Sequence, residues 1–292
     1  MPDLITLFCS VDDFWKQFQS DWEQHLISNG KAKRGPEAEL SVSEMMTIVI
    51  LFHQSNFRSF KHFYGHVCEY FKQYFPKLIS YERFVQIKKT LFIPLFAYLL
   101  SLIGKVTGIA FVDSTSIAVC HNKRIYRNKV FKNLAKRGKT TSGWFYGFKL
   151  HLIINDKGEI LAFQLTAGNV SDVSMVETLS KGIFGKLFGD KGYISAEIGK
   201  RLFERGLQLF TQIKSNMKQK LMSFKDKLLL RKRSLIETVN DQLKNISQIE
   251  HTRHRSPQNF LVNLLAGIAA YGLQPKKPSL NLEGLDTALM LI

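Results

Sequence analysis

Hydrophobic and polar positions follow two different periods along the chain, and the period changes near residue 107. Before that point, aromatic and aliphatic residues recur at three- and four-residue spacing, which is typical of one face of an α-helix. Ser41 and Glu44 have the spacing of a capping box at the start of a helix. The pattern predicts an all-helical N-terminal domain over residues 1–105, which is either a DNA-binding domain with a helix-turn-helix or a plain helical accessory domain.

Beyond residue 107 the apolar positions alternate with period two, as in half-buried strands. Runs of this kind cover residues 108–119, 144–155 and 159–168. The last two runs are separated by Asp156, Lys157 and Gly158, a combination that predicts a tight turn and therefore a hairpin. We expect three successive antiparallel strands.

The remainder of the chain alternates between helical and strand-like segments. The predicted order is a helix opening near Ser171, a strand over 185–190, a helix over 195–205, a strand over 207–213, and helix over 216–273 with a break near Pro257. Such an order indicates an α/β layer around a mixed sheet. We assign residues 106–274 to this domain and residues 275–292 to a loose C-terminal tail.

The charge balance is strongly basic, with 41 Lys and Arg residues against 24 Asp and Glu residues and a net charge of +17. A lysine-rich soluble surface is one explanation, but the basic residues are not mixed with acids as on most solvated faces. No acidic residue lies between Asp113 and Asp156, and a second basic tract runs from Lys214 to Arg233. One-signed tracts favour contact with a phosphate backbone. The residues expected to contact DNA in the first tract are Lys123, Arg124, Arg127, Lys136, Arg137 and Lys139.

Cysteine usage and the N-terminus predict a cytoplasmic protein. The three cysteines are far apart in the sequence, which favours neither a disulfide framework nor a Cys-x-x-Cys metal site. The N-terminus lacks a basic region and soon reaches acidic residues, unlike a secretory signal. Two apolar stretches, 90–104 and 259–273, are shorter than the roughly 20 residues of a membrane span. We therefore expect core helices and no membrane association.

Three acidic residues stand out by their position. Asp113 lies within the buried strand "GIAFVDSTSIAVC", Asp190 ends the short strand in "LFGDKGY", and Glu237 lies in a basic helix. If the two strands are parallel neighbours, both aspartates lie at the same edge of the sheet. Carboxylates that share a site raise one another's pKa unless a cation compensates them. The acids therefore predict a site for Mg²⁺ or Mn²⁺, with two ions serving phosphodiester chemistry.

Each acid also has a structural explanation. Asp113 could accept backbone hydrogen bonds at a strand bulge, and Asp190 could cap a turn or helix before Gly192. Glu237 could pair with Arg233 on a solvated helix face at i, i−4 spacing. For each of the three acids, this structural role is the alternative to a role in the metal site.

The ordered acids resemble the catalytic triad of the DDE transposases of bacterial insertion sequences. That family often carries the pattern Tyr-x2-Arg-x3-Glu-x6-Lys, and this chain has Arg233, Glu237 and Lys244 at those spacings, with Leu230 in place of the tyrosine. The resemblance covers about residues 105–270. It implies an RNase H-like catalytic core in which Asp113, Asp190 and Glu237 bind the metal ions.

The same resemblance implies an activity and partners. The enzyme would nick double-stranded DNA at transposon ends in a Mg²⁺-dependent step and join the freed 3′-hydroxyl to target DNA. Arg233 and Lys244 would steady the DNA backbone or the carboxylates. Because two DNA ends must be handled together, we expect a homodimer in the DNA complex. The alternatives are a structure-specific nuclease of the same fold and a non-catalytic DNA-binding protein of a mobile element.

Overall fold

The computed structural model describes residues 3–28, 39–141, 143–212, 222–250 and 254–280. The helices are α1 (Leu4–Ser28), α2 (Val42–Gln54), α3 (Phe60–Tyr70), α4 (Tyr81–Ile87), α5 (Phe92–Ser101), α6 (Asp172–Leu179), α7 (Ala196–Glu204), α8 (Phe224–Arg231), α9 (Ser234–Asp241) and α10 (Pro257–Gly272). The strands are β1 (Ile109–Cys120), β2 (Lys136–Thr140), β3 (Gly143–Asn155), β4 (Ile160–Ala167), β5 (Gly185–Gly189) and β6 (Leu207–Thr211). Short 3₁₀ helices span Lys88–Leu91, Asn122–Arg127 and Lys191–Tyr193, and a π-helix spans Gln242–Ile246.

The chain forms two compact units. The helical unit comprises Met1–Leu102 and Leu243–Pro275, and the sheet unit comprises Ile103–Gln242 and the described residues from Lys276 onward. The sequence assigned residues 243–274 to the catalytic domain, whereas the structure groups Leu243–Pro275 with the N-terminal helices.

The helical unit is built around α10, which explains this difference. Its residues from Phe260 to Tyr271 are almost all buried, because the helix is apolar on every face and must be covered on every side. Helices α2 and α5 cover it. Ser256 caps α10 and Pro257 begins it, in agreement with the predicted break. At the start of α2, Ser41 and Glu44 form the predicted capping box.

The sheet unit contains one mixed sheet with the strand order β2-β3-β1-β5-β6, and β4 also pairs with β3. Strand β3 is antiparallel to β1, β2 and β4, while β5 is parallel to both β1 and β6. The predicted mixed sheet with flanking helices is confirmed. The three expected antiparallel strands are β1, β3 and β4, but β2 lies between the first two in sequence and was not predicted.

The register of the parallel strands is marked by a row of aromatic side chains. Phe111 pairs with Phe188, and Phe188 pairs with Phe210. Their ring centroids are 5.6 and 5.1 Å apart, respectively. Cross-strand aromatic contacts of this kind stabilise one register over its neighbours. This packing therefore also fixes the positions of Asp113, two residues beyond Phe111, and Asp190, two residues beyond Phe188.

The predicted hairpin is formed by β3 and β4. Its turn places Gly158 at φ +71°, a backbone conformation that favours glycine, and the Gly158 N–H donates to the Asn155 carbonyl. The first residues of the expected tail contact this turn. The Leu280 N–H donates a 2.8 Å hydrogen bond to the Asp156 carbonyl, so the described residues 276–280 are held against the sheet unit. Residues 281–292 lie outside the described residues.

Among the residues that the structure describes, one helical stretch, Tyr81–Ser101, is long and apolar enough to cross a bilayer by length and composition alone. It includes α4, a 3₁₀ segment and α5, and it carries the buried Lys88. Its second half contacts α10 and α1. Packing of this kind is typical of a core helix, which is how the sequence was interpreted.

Candidate active site

Asp113 and Asp190 occupy equivalent positions on neighbouring parallel strands. Phe111 pairs with Phe188, so each aspartate lies two residues beyond a paired phenylalanine, Asp113 within β1 and Asp190 directly after β5. Side chains two residues apart on a strand share a face of the sheet. The two strands are thus parallel neighbours, an arrangement that the sequence allowed without predicting it.

The Asp113 side chain is half-buried and has charged neighbours of both signs. The Asn240 side-chain amide donates to its Oδ2 at 3.1 Å. Burial, together with the charges of Asp190 and Glu237, raises the pKa of Asp113 to about 6, while the Ser114 backbone N–H and the Arg233 guanidinium oppose the rise. Asp113 is therefore held where a positive charge would stabilise its ionised form.

Asp190 also serves as the cap of the 3₁₀ helix Lys191–Tyr193. Its Oδ1 accepts a 2.7 Å hydrogen bond from the Gly192 N–H. The cap that the sequence offered as a structural explanation is thus present. It uses one carboxylate oxygen and fixes the orientation of the group, which leaves Oδ2 for another ligand.

Glu237 lies in the first turn of α9, a helix that contacts β1. Its Oε1 forms an ion pair with Nη2 of Arg233, one turn earlier, and its side chain is 53% exposed. The Arg233 side chain is only 16% exposed. The predicted i, i−4 pair therefore exists, and Glu237 lies near enough to Asp113 for its charge to act on that carboxyl.

Within the ranges that the structure describes, no three His, Cys, Asp or Glu side chains are grouped closely enough to hold a metal ion. The donor chemistry nevertheless fits a divalent cation, because the candidate ligands are carboxylate oxygens, and that of the half-buried Asp113 has a raised pKa that a cation would offset. Glu237 is held by Arg233 in this arrangement.

A fourth carboxylate, Asp172, lies beside the site and was not among the residues predicted from sequence. Its Oδ1 accepts hydrogen bonds from Ser114 Oγ at 2.7 Å and from Lys149 Nζ at 3.0 Å. Nδ1 of His151 lies 3.7 Å from the same oxygen, and burial lowers the pKa of His151 to about 4. The histidine is therefore neutral at pH 7, and Lys149 supplies the compensating charge.

Tyr193 is the second residue that sequence reasoning missed. Its ring is buried, and burial together with the charges of Asp113, Asp172 and Asp190 raises the pKa of its hydroxyl. The phenol therefore stays protonated, and its hydroxyl lies near enough to these three acids for their charges to act on it. The only sequence signal was the "DKGY" spacing after the strand.

The six residues of the first basic tract that were predicted to contact DNA lie on two exposed elements of the sheet unit. Lys123, Arg124 and Arg127 are on the 3₁₀ helix Asn122–Arg127, and Lys136, Arg137 and Lys139 are on β2.

The side chains of β2 contact an exposed tryptophan. Trp144 is 54% exposed, and Arg137 and Lys139 lie over its ring at 5.1 and 5.7 Å from the centroid. The cation–π contacts hold two basic groups on one face of the edge strand.

Lys244, expected to steady the DNA backbone or the carboxylates, forms a different contact. It lies in the π-helix of the helical unit, and its Nζ is 3.2 Å from Oε2 of Glu250.

Comparison with known proteins gives one family match and a structural likeness. Residues 103–257, a little over half of the chain, match the family model described as a transposase DDE domain. Among solved structures, the chain is similar to piggyBac transposase in a synaptic complex with hairpin DNA, with 11% sequence identity, a TM-score of 0.50, and coverage of 100% of this chain and 80% of that chain. No curated protein matches the chain.

The structural likeness confirms the predicted fold class, an RNase H-like mixed sheet flanked by helices with an N-terminal helical region. The family match extends over β1, β5 and α9, the elements that carry the three acids. The chain belongs to the DDE transposases, enzymes that cleave and transfer DNA.

Proposed function

We propose that this transposase nicks DNA at transposon ends and joins the freed 3′-hydroxyl to target DNA, with Asp113, Asp190 and Glu237 as the catalytic acids. One observation carries the proposal. Asp113 and Asp190 lie two residues beyond a pair of phenylalanines on neighbouring parallel strands, and the charge of Glu237, on the adjoining helix, raises the pKa of Asp113. The cap role of Asp190 and the ion pair of Glu237 are compatible with this use, since each leaves an oxygen available.

The three acids would hold divalent cations, Mg²⁺ or Mn²⁺. Such ions, held as a pair, would supply activation of a water or 3′-hydroxyl and stabilisation of the leaving oxygen of a phosphodiester. Asp113 and Asp190 supply ligands from the sheet. Glu237 would add a ligand from α9 through Oε2, the oxygen that its ion pair with Arg233 leaves available.

The surrounding residues prepare the acids for this role. Asn240 orients Asp113 through its hydrogen bond to Oδ2, and the Gly192 N–H orients Asp190. The Lys149 ammonium neutralises Asp172, so the fourth carboxylate adds little repulsion to the site. The protonated Tyr193 hydroxyl offers a donor near the same acids.

Double-stranded DNA, both transposon ends and target, is the proposed partner, and the basic residues of the 3₁₀ helix and β2 would contact its backbone. Arg137 and Lys139 are exposed and aligned over Trp144, which gives the edge of the sheet a fixed pair of positive charges. Because two ends must be processed together, we propose that the DNA complex contains a homodimer.

The test is a cleavage and joining assay. Its substrate is labelled DNA that carries the ends of the transposon that encodes this protein. Wild-type protein is compared in Mg²⁺ and in EDTA with Asp113→Asn, Asp190→Asn and Glu237→Gln. We expect each variant to lose at least about a thousand-fold in both steps while DNA binding is retained. Glu204→Gln, an exposed glutamate at the end of α7, is the matched control.

The assay also separates the alternatives. Metal-dependent cleavage without joining would identify a nuclease of the same fold. DNA binding with neither step would identify a non-catalytic DNA-binding protein. Full cleavage by any one variant would remove that residue from the catalytic set.

A further inference from the structure

The helical unit contains a cavity of about 760 Å³ that the proposed catalytic chemistry does not use. It is bordered by α3, α4, the 3₁₀ helix Lys88–Leu91 and the start of α10. Its lining combines aromatic rings with basic side chains. Two features of this lining point to a ligand: a buried ammonium at its base and exposed cations at its mouth.

The buried ammonium belongs to Lys88. The residue is 5% exposed, and Nζ lies 4.5 Å from the centroid of the Phe60 ring. Among the described residues, no carboxylate forms an ion pair with it. Burial lowers the pKa of Lys88 to about 8, so the side chain is still mainly protonated at pH 7. A buried cation without an anion is costly, and only part of this cost is offset by the ring.

The mouth of the cavity is also positive. Arg58, Lys61 and Arg255 line it and are exposed, so the cavity reaches the surface where these side chains lie. Glu82 is the acid among the described lining residues, against three exposed cations and Lys88. The buried side chain of Asn263 adds an amide to the same wall.

We propose that this cavity binds a phosphate group of the DNA backbone, with the Lys88 ammonium as the central contact and Arg58, Lys61 and Arg255 around it. A phosphate supplies the anion that Lys88 lacks and accepts hydrogen bonds from several donors at once. The backbone of DNA is the source we favour, because the chain carries a net charge of +17 and belongs to a family that acts on DNA. The site performs no chemistry and positions a strand.

The first experiment uses inorganic phosphate as the probe and the full-length protein. Phosphate should raise the thermal midpoint of wild-type protein above that in chloride of equal ionic strength. Lys88→Met should abolish this rise and, since it removes an uncompensated buried charge, should raise the midpoint in chloride. Lys89→Met is the matched control, because Lys89 is the exposed neighbour in the same 3₁₀ segment.

The second experiment measures DNA binding in EDTA, so that the result does not depend on cleavage or on the proposed catalytic metal site. Lys88→Met should weaken binding about ten-fold and lower the slope of log affinity against log salt by about one. Arg255→Gln, an exposed change that does not touch the core, should show a smaller loss in the same direction.

The outcomes discriminate between sources of the phosphate. Loss of both the phosphate effect and the DNA affinity in Lys88→Met supports the proposal. Loss of the phosphate effect with unchanged DNA affinity overturns the assignment to DNA and indicates free phosphate or a nucleotide. If wild-type protein gains nothing from phosphate beyond what Lys88→Met gains, the anion site itself is refuted.

Discussion

The side-chain amide of Asn240 donates a 3.1 Å hydrogen bond to Oδ2 of Asp113 and thereby joins α9 to the central strand β1. Asn240 is buried and lies one turn after Glu237. The bond therefore does two things: it fixes the orientation of one acid, and it holds the helix that carries another.

Replacement of Asn240 separates these two effects. Asn240→Ala removes the donor and should destabilise the fold by about 1–2 kcal/mol. Asn240→Asp places a carboxylate next to Asp113, so the pKa of Asp113 should rise and the pH profile of DNA cleavage should move to higher pH. A pH profile unchanged in Asn240→Asp would limit Asn240 to a structural role.

The raised pKa of Asp113 predicts a pH dependence of stability. In the folded protein the Asp113 carboxyl keeps its proton up to about pH 6, whereas the ordinary pKa of an aspartate is 3.8. The native state therefore binds more protons than the unfolded state between about pH 4 and 6, and the free energy of unfolding falls as pH rises through that window. Asp113→Asn should abolish this dependence and, without metal, should be roughly 1–3 kcal/mol more stable than wild type at pH 7.

Urea unfolding at several pH values in EDTA measures this dependence, with Glu204→Gln as the control. Added Mg²⁺ should flatten the wild-type curve, because a bound cation favours the ionised carboxylate. If the free energy of unfolding changed with the same slope between pH 4 and 6 in wild type and in Asp113→Asn, the raised pKa of Asp113 would be contradicted.

The pair formed by Lys149 and Asp172 predicts a non-additive double mutant. The Lys149 side chain is 11% exposed and that of Asp172 is 30% exposed, so the pair is shielded only in part. Lys149→Met leaves the carboxylate without its cation and should cost roughly 1–3 kcal/mol, less than for a fully buried pair. Lys149→Met combined with Asp172→Asn should recover much of this loss, as a double-mutant cycle of urea unfolding will show. Simple additivity of the two changes would disprove the coupling.

The contacts of Trp144 predict different DNA-binding phenotypes for neighbouring residues. Arg137→Gln and Lys139→Gln should each reduce the salt slope of DNA binding by about one. Trp144→Ala should weaken binding while it leaves the slope unchanged, since it removes no charge. The control is Lys200→Gln on α7, an exposed lysine of the same unit. If wild type, Arg137→Gln and Lys139→Gln had equal salt slopes of DNA binding, contact between β2 and the DNA backbone would be excluded.

Strong local patterns made much of the sheet predictable. The hairpin followed from alternating apolar residues around a Gly158 turn, and β5 followed from its short apolar run. Strand β2 could not be predicted, because "KRGKT" has no apolar alternation and only Gly138 is buried in it. The strand exists because β3 offers it an edge, and this long-range pairing leaves no local signal.

The candidate site was also predictable only where a local sequence pattern marked it. Asp113 and Asp190 could be identified because a carboxylate at a buried strand is unusual and because β5 directly precedes Asp190. The hydrogen bond of Asn240 and the Lys149–Asp172 pair join elements far apart in sequence, so nothing in the local composition indicated them. Likewise, the apolar pattern of α10 predicted a buried helix but not the unit that covers it.

Binding of Mn²⁺ to the full-length protein, followed by electron paramagnetic resonance, tests most directly whether Asp113, Asp190 and Glu237 form one metal site. The account predicts that wild-type protein and Glu204→Gln bind Mn²⁺ with the same affinity, and that Asp113→Asn, Asp190→Asn and Glu237→Gln each weaken it about ten-fold or more. Unchanged Mn²⁺ affinity in any of these three variants would contradict the shared site.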